Sequence, residues 1–287
     1  MFVAVRDASL RHADINWVNV AGELGTDSLD LLIEPDLSTS RVADAQGQPY
    51  KLASPAGRAA FMQDLEKAGL SVCGVELGTD FAADDVAAQT RWMVEAAGLA
   101  AELGAPVVRI DPWFRAGNMT VDAFLPRMAG AVREAIEESE GVDFGVENHG
   151  QHGNSPEFMG RLLEMVDSER FGLTLDTGNF YWCGHPLDRV YEIMERFAPH
   201  AKYTHVKNIS YPADVRQAQR EVGWEYLKYV SPIPDGDIDH RRVVRILADA
   251  GYDRGLVIED ESHVKLSAPE FADVLRRGVD HLKGLLG

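Results

Sequence analysis

Short apolar runs rich in β-branched residues alternate along this chain with amphipathic or Ala-rich stretches, and most runs end abruptly in a charged or amide residue. Such runs read as buried strands, and the stretches between them, with helical periodicity, as helices. FVAVRD at 2–7 is the first strand, and a helix from Asp14 to Leu24 follows, closed by Gly25. SLDLLIEPD is the second strand, ending at Glu34 ahead of Pro35. The polar connection 36–53 leads to a helix from Pro55 to Ala68; at that length it is expected to act as a lid. LSVCGVEL is the third strand, and the Ala-rich run from Asp84 to Leu103 is a helix ended by Gly104. PVVRIDPWF forms the fourth strand with its exit loop, and Thr120 to Glu140 the fourth helix.

VDFGVENHG and FGLTLDTGN are the fifth and sixth strands, with a helix from Ser155 to Val166 between them. HPLDRVYEIMERFA is the next helix and AKYTHVKN the seventh strand. A long loop, 208–237, carries Arg216, Arg220, Trp224, Tyr226 and the turn-forming PIPDGD. A helix from Asp239 to Ala250, the strand GLVIED and a helix from Ala268 to Leu286 complete the chain. Eight strands alternating with eight helices, without a low-complexity linker, predict an α/β fold in which residues 1–287 form a single (β/α)8 TIM barrel.

The strand ends carry the chemistry. Glu147 and Asp176 stand 29 positions apart, His205 stands 29 further on, and Glu259 ends the strand after the long loop. The four therefore occupy equivalent places in consecutive units, at the C-terminal face that barrels use for chemistry. Because side chains two apart share a face of a strand, Gly145 accompanies Glu147, Gly172 and Thr174 accompany Asp176, and Tyr203 and Lys207 accompany His205. Three carboxylates and an imidazole make an oxygen-rich donor set, suited to one divalent ion, Mn²⁺ first and Mg²⁺ or Co²⁺ next. Neither Cys73 nor Cys183 stands at a ligand position. An ion so held chelates the carbonyl and neighbouring hydroxyl of a sugar and stabilises the enediolate left by removal of the α-proton, with Glu147 and Glu259 as acid and base. The bland alternative is that the acids merely pair with Lys207, Arg109 and His205.

Around this set, His149 shares the inward parity of Glu147 and reads equally as a catalytic base and as a solvated loop residue. Lys207 either holds an oxyanion or balances the acids. Glu34, Glu76 and Asp111 end strands two to four and are expected to line the pocket. Trp113, Phe114, Tyr181 and Trp182 follow strands four and six and offer an apolar wall to a sugar face, or anchor loops. Asn179 is placed to orient ligands or bind substrate, and Arg216 with Arg220 to clamp an anionic group.

Charge narrows the partners. With 28 Lys and Arg against 46 Asp and Glu, the formal charge of −18 repels phosphate backbones and anionic lipid, which excludes nucleic acid and membrane surfaces as first guesses. A neutral or chelated small molecule fits better. Two cysteines in different units, and a start with neither an apolar leader nor a long apolar run, suit a cytoplasmic enzyme.

The motifs GVENH, LDTGN, THVKN, VELGTDF and the stretch from GDIDHRR to Glu259 resemble the xylose-isomerase-like TIM-barrel superfamily, the sugar-phosphate isomerase/epimerase group. The resemblance implies a metal site at Glu147, Asp176, His205 and Glu259, and in epimerases proton transfer by Glu147 and Glu259. It leads to a sugar isomerase or epimerase. The sequence departs from many ketose epimerases at Asn179, where they carry a substrate-binding histidine. A related branch looks like the catalytic subunit of C-glycoside deglycosidases, metal-dependent lyases of 3-keto C-glycosides that need a small β partner; His149 beside Glu147 and the 208–237 loop suit that alternative. The expected assembly is thus a homo-oligomer or a complex with a small partner subunit. A catalytically inactive sugar-binding barrel is the reading from another class.

Overall fold

A computed structural model describes residues 1–112 and 119–287. Eight parallel strands close into a barrel: β1 (Phe2–Arg6), β2 (Ser28–Leu32), β3 (Ser71–Glu76), β4 (Val107–Ile110), β5 (Asp143–Glu147), β6 (Phe171–Asp176), β7 (Ala201–Val206) and β8 (Gly255–Ile258). Each pairs with the next, and β1 closes on β8 with Val3 opposite Leu256 and Val5 opposite Ile258. Outside run α1 (Val20–Leu24), α2 (Pro55–Ala68), α3 (Val86–Leu103), α4 (Val121–Glu137), α5 (Pro156–Val166), α6 (Leu187–Phe197), α7 (His240–Asp249) and α8 (Ala268–Leu286). Among the described residues, no helix is long and apolar enough to cross a membrane.

The helices start where side chains can satisfy orphan amides. Ser54, Asp85, Thr120, Ser155 and Asp239 each accept a first-turn N–H, and Ser267 with Glu270 forms a capping box at α8. Phe144, Val146, Leu173 and Leu175 point outward into the main core beneath the helices, fully buried. Each such side chain contributes about 1.5–3 kcal/mol by leaving water. Inside the barrel a smaller cluster of Ala4, Cys73, Val107, Tyr203 and Val257 fills the axis. The floor is closed by one phenol. Tyr203 lies across the axis with its hydroxyl 3.1 Å from Cys73 Sγ, and a Cβ on Gly74 would overlap its ring. Cys73 is the extra residue of a register shift, since Leu29 faces Val72 but Asp30 faces Gly74.

The N-terminal third differs from the expectations. No helix begins at Asp14, which sits in the left-handed region at φ 55°; instead a short helix, Asp7–His12, follows β1 directly, and the chain restarts as a 3-10 turn at Trp17 capped by Asn16. The second strand leaves the barrel at Leu32 rather than Glu34, because Ile33 already bridges Thr39 of an antiparallel hairpin, Ser38–Ala43 with Pro49–Lys51. That hairpin is the connection expected to be a lid. It is packed down as a wall: Val42, Tyr50 and Leu52 are buried, Tyr50 lies against Phe61 and Trp17, and Arg41 pairs with buried Asp7 at 3.0 Å. The 208–237 insertion is folded too, around the two-stranded pair Asn208–Ile209 and Val230–Ser231 and a one-turn helix, Tyr226–Tyr229.

Gly74→Ala should cost about 1–3 kcal/mol in urea denaturation, because the added methyl has no room beside Tyr203; a neutral result would mean the floor is not packed this way. Burial pushes the Asp7 carboxyl up to about 6, against the pull of Arg41 and the Leu32 N–H. The folded state thus keeps its proton while the unfolded chain releases it, so stability from this group falls as pH rises from about 4 to 6. Asp7→Asn removes that slope. Its stability relative to the parent should rise by up to about 3 kcal/mol between pH 4 and pH 7, read from paired melts; a constant difference would contradict the assignment.

Candidate metal centre

The C-terminal ends of the strands enclose a buried, acid-rich cup. Glu147, Asp176 and His205 are buried and Glu259 is nearly so, and each offers a ligand atom such that all lie within 4.8 Å of one another. His205 Nδ1 is 3.5 Å from Glu147 Oε2 and 3.6 Å from Glu259 Oε2. His205 Nδ1, Asp176 Oδ2 and Glu259 Oε2 are buried without a hydrogen bond. Orphaned buried polar atoms are costly unless something completes them. Their convergence, from two carboxylates and one imidazole, fits a divalent cation.

The cup also contains its own cations. Arg109 donates through Nε to Glu147 Oε2 at 2.6 Å and reaches Asp111 Oδ2 at 3.2 Å. Lys207 Nζ stands 2.9 Å from Glu259 Oε2, 3.4 Å from Asp176 Oδ2 and 3.5 Å from Glu261 Oε1. Arg6 ion-pairs with Glu76 and Glu259. Lys207 and Arg109 therefore do pair with the acids, yet Asp30, Glu76, Asp111, Glu147, Asp176, Glu259 and Glu261 outnumber Arg6, Arg109 and Lys207. Part of that excess is held as neutral acid, since burial raises the Asp30 and Asp176 carboxyls.

Protonation follows the neighbours. Burial pushes the Asp176 carboxyl up to about 7, with Lys207 pulling it back and Glu147 adding to the rise. Burial also opposes ionisation of Glu147, but the Arg109 guanidinium outweighs it and holds the carboxyl well below its ordinary range. His205 is lowered by burial, although Glu147 favours its charge, so the ring is a neutral ligand. For Lys207, burial works downward, and Asp176 and Glu261 reverse it and raise the ammonium.

Two amides fix the geometry. Asn148, fully buried, accepts from Asp176 N–H at 2.7 Å and donates to Asp176 C=O at 3.0 Å, stitching the exit of β5 to that of β6. Asp176 Oδ1 accepts the N–H groups of Gly178 and Asn179 at 2.8 and 2.6 Å, which leaves Oδ2 facing the quartet. Asn179 donates Nδ2–H to Glu147 Oε1 at 3.0 Å, so it orients a carboxylate from within the cup. At the rim, His149 Nδ1 lies 2.9 Å from Asp111 Oδ2, and that bond with Glu147 outweighs partial burial to raise the imidazole's pKa.

The remaining candidates divide. Glu76 lies in the cup, on Arg6; Glu34 belongs to the opening turn of the hairpin, where its N–H donates to Ser38 C=O. The second strand contributes Asp30 instead, two positions after Ser28 on the inward face, and the first contributes Arg6. Both escaped the sequence reading, although an acid in the middle of SLDLL was a usable signal. Arg216 is not available as an anion clamp: it pairs with Asp237 at 2.9 Å and donates to Tyr211 C=O. Arg220 caps main-chain carbonyls of Val215, Tyr181 and His185 and lies over the Tyr181 and Tyr211 rings. Tyr181 is a buried anchor bonded to Asp237. Trp113 and Phe114 lie outside the described residues. Tyr226, from the insertion, bonds Glu261 and so reaches the Lys207 cluster. A groove of about 660 Å³ between α5 and α6 lies at the opposite end of the barrel and shares no residue with the cup.

The closed parallel barrel with helices outside it defines the (β/α)8 class of α/β proteins. Residues 18–285 match the family model described as a xylose isomerase-like TIM barrel, and the chain belongs to that family. Inosose dehydratases are similar over part of the length: that of Yersinia enterocolitica is 27% identical over 129 residues, 44% of this chain and 43% of the relative, and that of Klebsiella pneumoniae 29% over 131 residues, with the same shares. The match thus spans less than half of those relatives. Among solved structures, the IOLI protein with a bound zinc atom superposes with a TM-score of 0.71 at 16% identity over 99% of both chains. A xylose isomerase domain protein from Planctomyces limnophilus gives 0.67 at 18% identity, over 99% of this chain and 96% of the other.

Asn148→Leu should destabilise the protein by about 1–3 kcal/mol for each Asp176 main-chain group left unpaired, measured by urea denaturation. A loss below about 0.5 kcal/mol, within the range of ordinary surface changes, would remove Asn148 from the framework of the cup.

Proposed function

We propose that this protein is a metal-dependent sugar-processing enzyme, its residues 1–287 working as one barrel unit, that removes a proton next to the carbonyl of a keto-sugar or keto-polyol and expels water. The observation that carries the reading is the convergence of Glu147, Asp176, His205 and Glu259, whose ligand atoms all lie within 4.8 Å of one another. A divalent ion held by Glu147, Asp176, His205 and Glu259 would supply Lewis-acid polarisation of a substrate carbonyl. Mn²⁺ remains our first choice.

The chain's own residues supply the proton movements. Glu259, between Arg6 and Lys207, is the carboxylate at the edge of the cup and serves as base at the carbon next to the carbonyl. Arg6 and Lys207 stand beside it as its counter-charges. Elimination also needs an acid for the departing hydroxyl. His149 suits that role: Asp111 fixes Nδ1 and leaves Nε2 to hold or deliver the proton. Asn179 and Arg109 restrain Glu147 from both oxygens, so it orients substrate and ligand geometry as much as it transfers a proton. The similarity to inosose dehydratases supports dehydration as the outcome. Isomerisation or epimerisation is the second reading, supported by a pair of carboxylates, Glu147 and Glu259, 3.5 and 3.6 Å from His205 Nδ1, that can take and return a proton.

Plasma mass spectrometry after dialysis and Mn²⁺ reconstitution should find about one ion per chain, lost in Asp176→Ala. The loaded protein is then incubated with an inosose and with simple ketoses in D₂O. Loss of water from the inosose supports the dehydratase, whereas deuterium in recovered sugar of otherwise unchanged mass replaces it with the epimerase reading. Neither metal nor exchange would overturn both in favour of a binding barrel. His149→Asn should slow turnover by about 10²- to 10⁴-fold with metal content intact; an unaffected rate removes His149 from the proton path.

A further inference from the structure

His205 has a second set of neighbours that the proposed chemistry leaves unused. Its Nδ1 faces Glu147 and Glu259, but its Nε2 faces the other way, 3.3 Å from Asp30 Oδ2 and 3.9 Å from Glu76 Oε1. Both acids are buried, and Arg6 lies against both, with Nε 3.9 Å from Asp30 Oδ2 and a paired contact to Glu76. The second face of the ring is therefore a sealed pocket in which the guanidinium already occupies the cation position. A neutral imidazole carries one N–H and one lone pair, and which nitrogen has which is set by the partner of the other. Asp30 Oδ2 is the nearest acceptor on the Nε2 side, at 3.3 Å, and the carboxylates on the Nδ1 side stand farther off, at 3.5 and 3.6 Å.

We propose that Asp30 is a positioning residue for the metal centre: by accepting Nε2–H of His205 it fixes the ring in one tautomer and directs the Nδ1 lone pair at Glu147, Asp176 and Glu259. This rests on the metal reading above for its purpose, but the tautomer itself is a property of the metal-free protein. Asp30 needs no contact with substrate or ion. It acts through the ring, as carboxylates behind ligand histidines do, where loss of the outer partner lowers metal affinity by about 10- to 100-fold. The register shift at Cys73 contributes, since it sets Asp30 opposite Gly74.

The test uses the metal-free protein with ¹⁵N-labelled histidine, the His205 signal being identified by its absence in His205→Gln. Long-range ¹H–¹⁵N spectra of the parent should show the Nε2–H form. Asp30→Leu should abolish that preference and weaken Mn²⁺ binding about 10- to 100-fold by calorimetric titration, whereas Asp30→Asn, whose amide oxygen still accepts a hydrogen bond, should restore both. A thermal melt accompanies each variant; should Asp30→Leu fail to fold, Asp30→Ser provides the same comparison with a smaller side chain. A parent ring protonated on Nδ1, or an Asp30→Leu protein with unchanged tautomer and affinity, would overturn the proposal. If the parent shows the Nε2–H form that Asp30→Leu removes but binds no Mn²⁺, the metal reading fails while the Asp30–His205 assignment stands.

Discussion

The need to neutralise buried carboxylates governs this molecule. An isolated ionised acid in a low-dielectric interior costs far more than any single packing contact returns, so every acid of the cup must find a donor or lose its charge. Arg6, Arg109 and Lys207 each come from a different strand exit and each serve at least two acids. Their placement ties β1 to β3 and β8, and β4 to β5. Barrel closure and site assembly are therefore one event: Arg6 can reach Glu259 only when the first strand has paired with the last. Where cations fall short, burial pushes carboxyls toward the neutral form, as at Asp30 and Asp176.

How much of this could be read beforehand depends on which contrast a residue makes with its surroundings. Strands of a parallel barrel are covered on both faces and are apolar almost throughout, so Glu147, Asp176, His205 and Glu259 stand out at the ends of β5 to β8. The repeated unit length then aligns them. Arg6 stands out no less, but its meaning depends on partners contributed by strands far along the chain, and nothing local announces them. Asp30 was concealed differently. The apolar run of the second strand continues through Ile33 into a hairpin, so its visible end lies beyond the barrel, and the acid that matters sits inside the run.

Spacing misled where the backbone was not helical. Arg216 and Arg220 are four positions apart, yet turns separate them, and each is consumed by main-chain carbonyls or Asp237 in folding the insertion. The connection 36–53 shows the same lesson. Its polar composition suggested motion, while Val42, Tyr50 and Leu52 give it an apolar underside that belongs to the core. Length identified both as insertions of consequence; only packing assigns them as walls of the rim.

Tyr203 makes the barrel a blind vessel. With its ring lying across the axis and Gly74 giving it room, the floor admits no passage, and the cup communicates with solvent at one end alone. The folded insertion stands on the side opposite that floor, where Tyr226 bonds Glu261 beside Lys207.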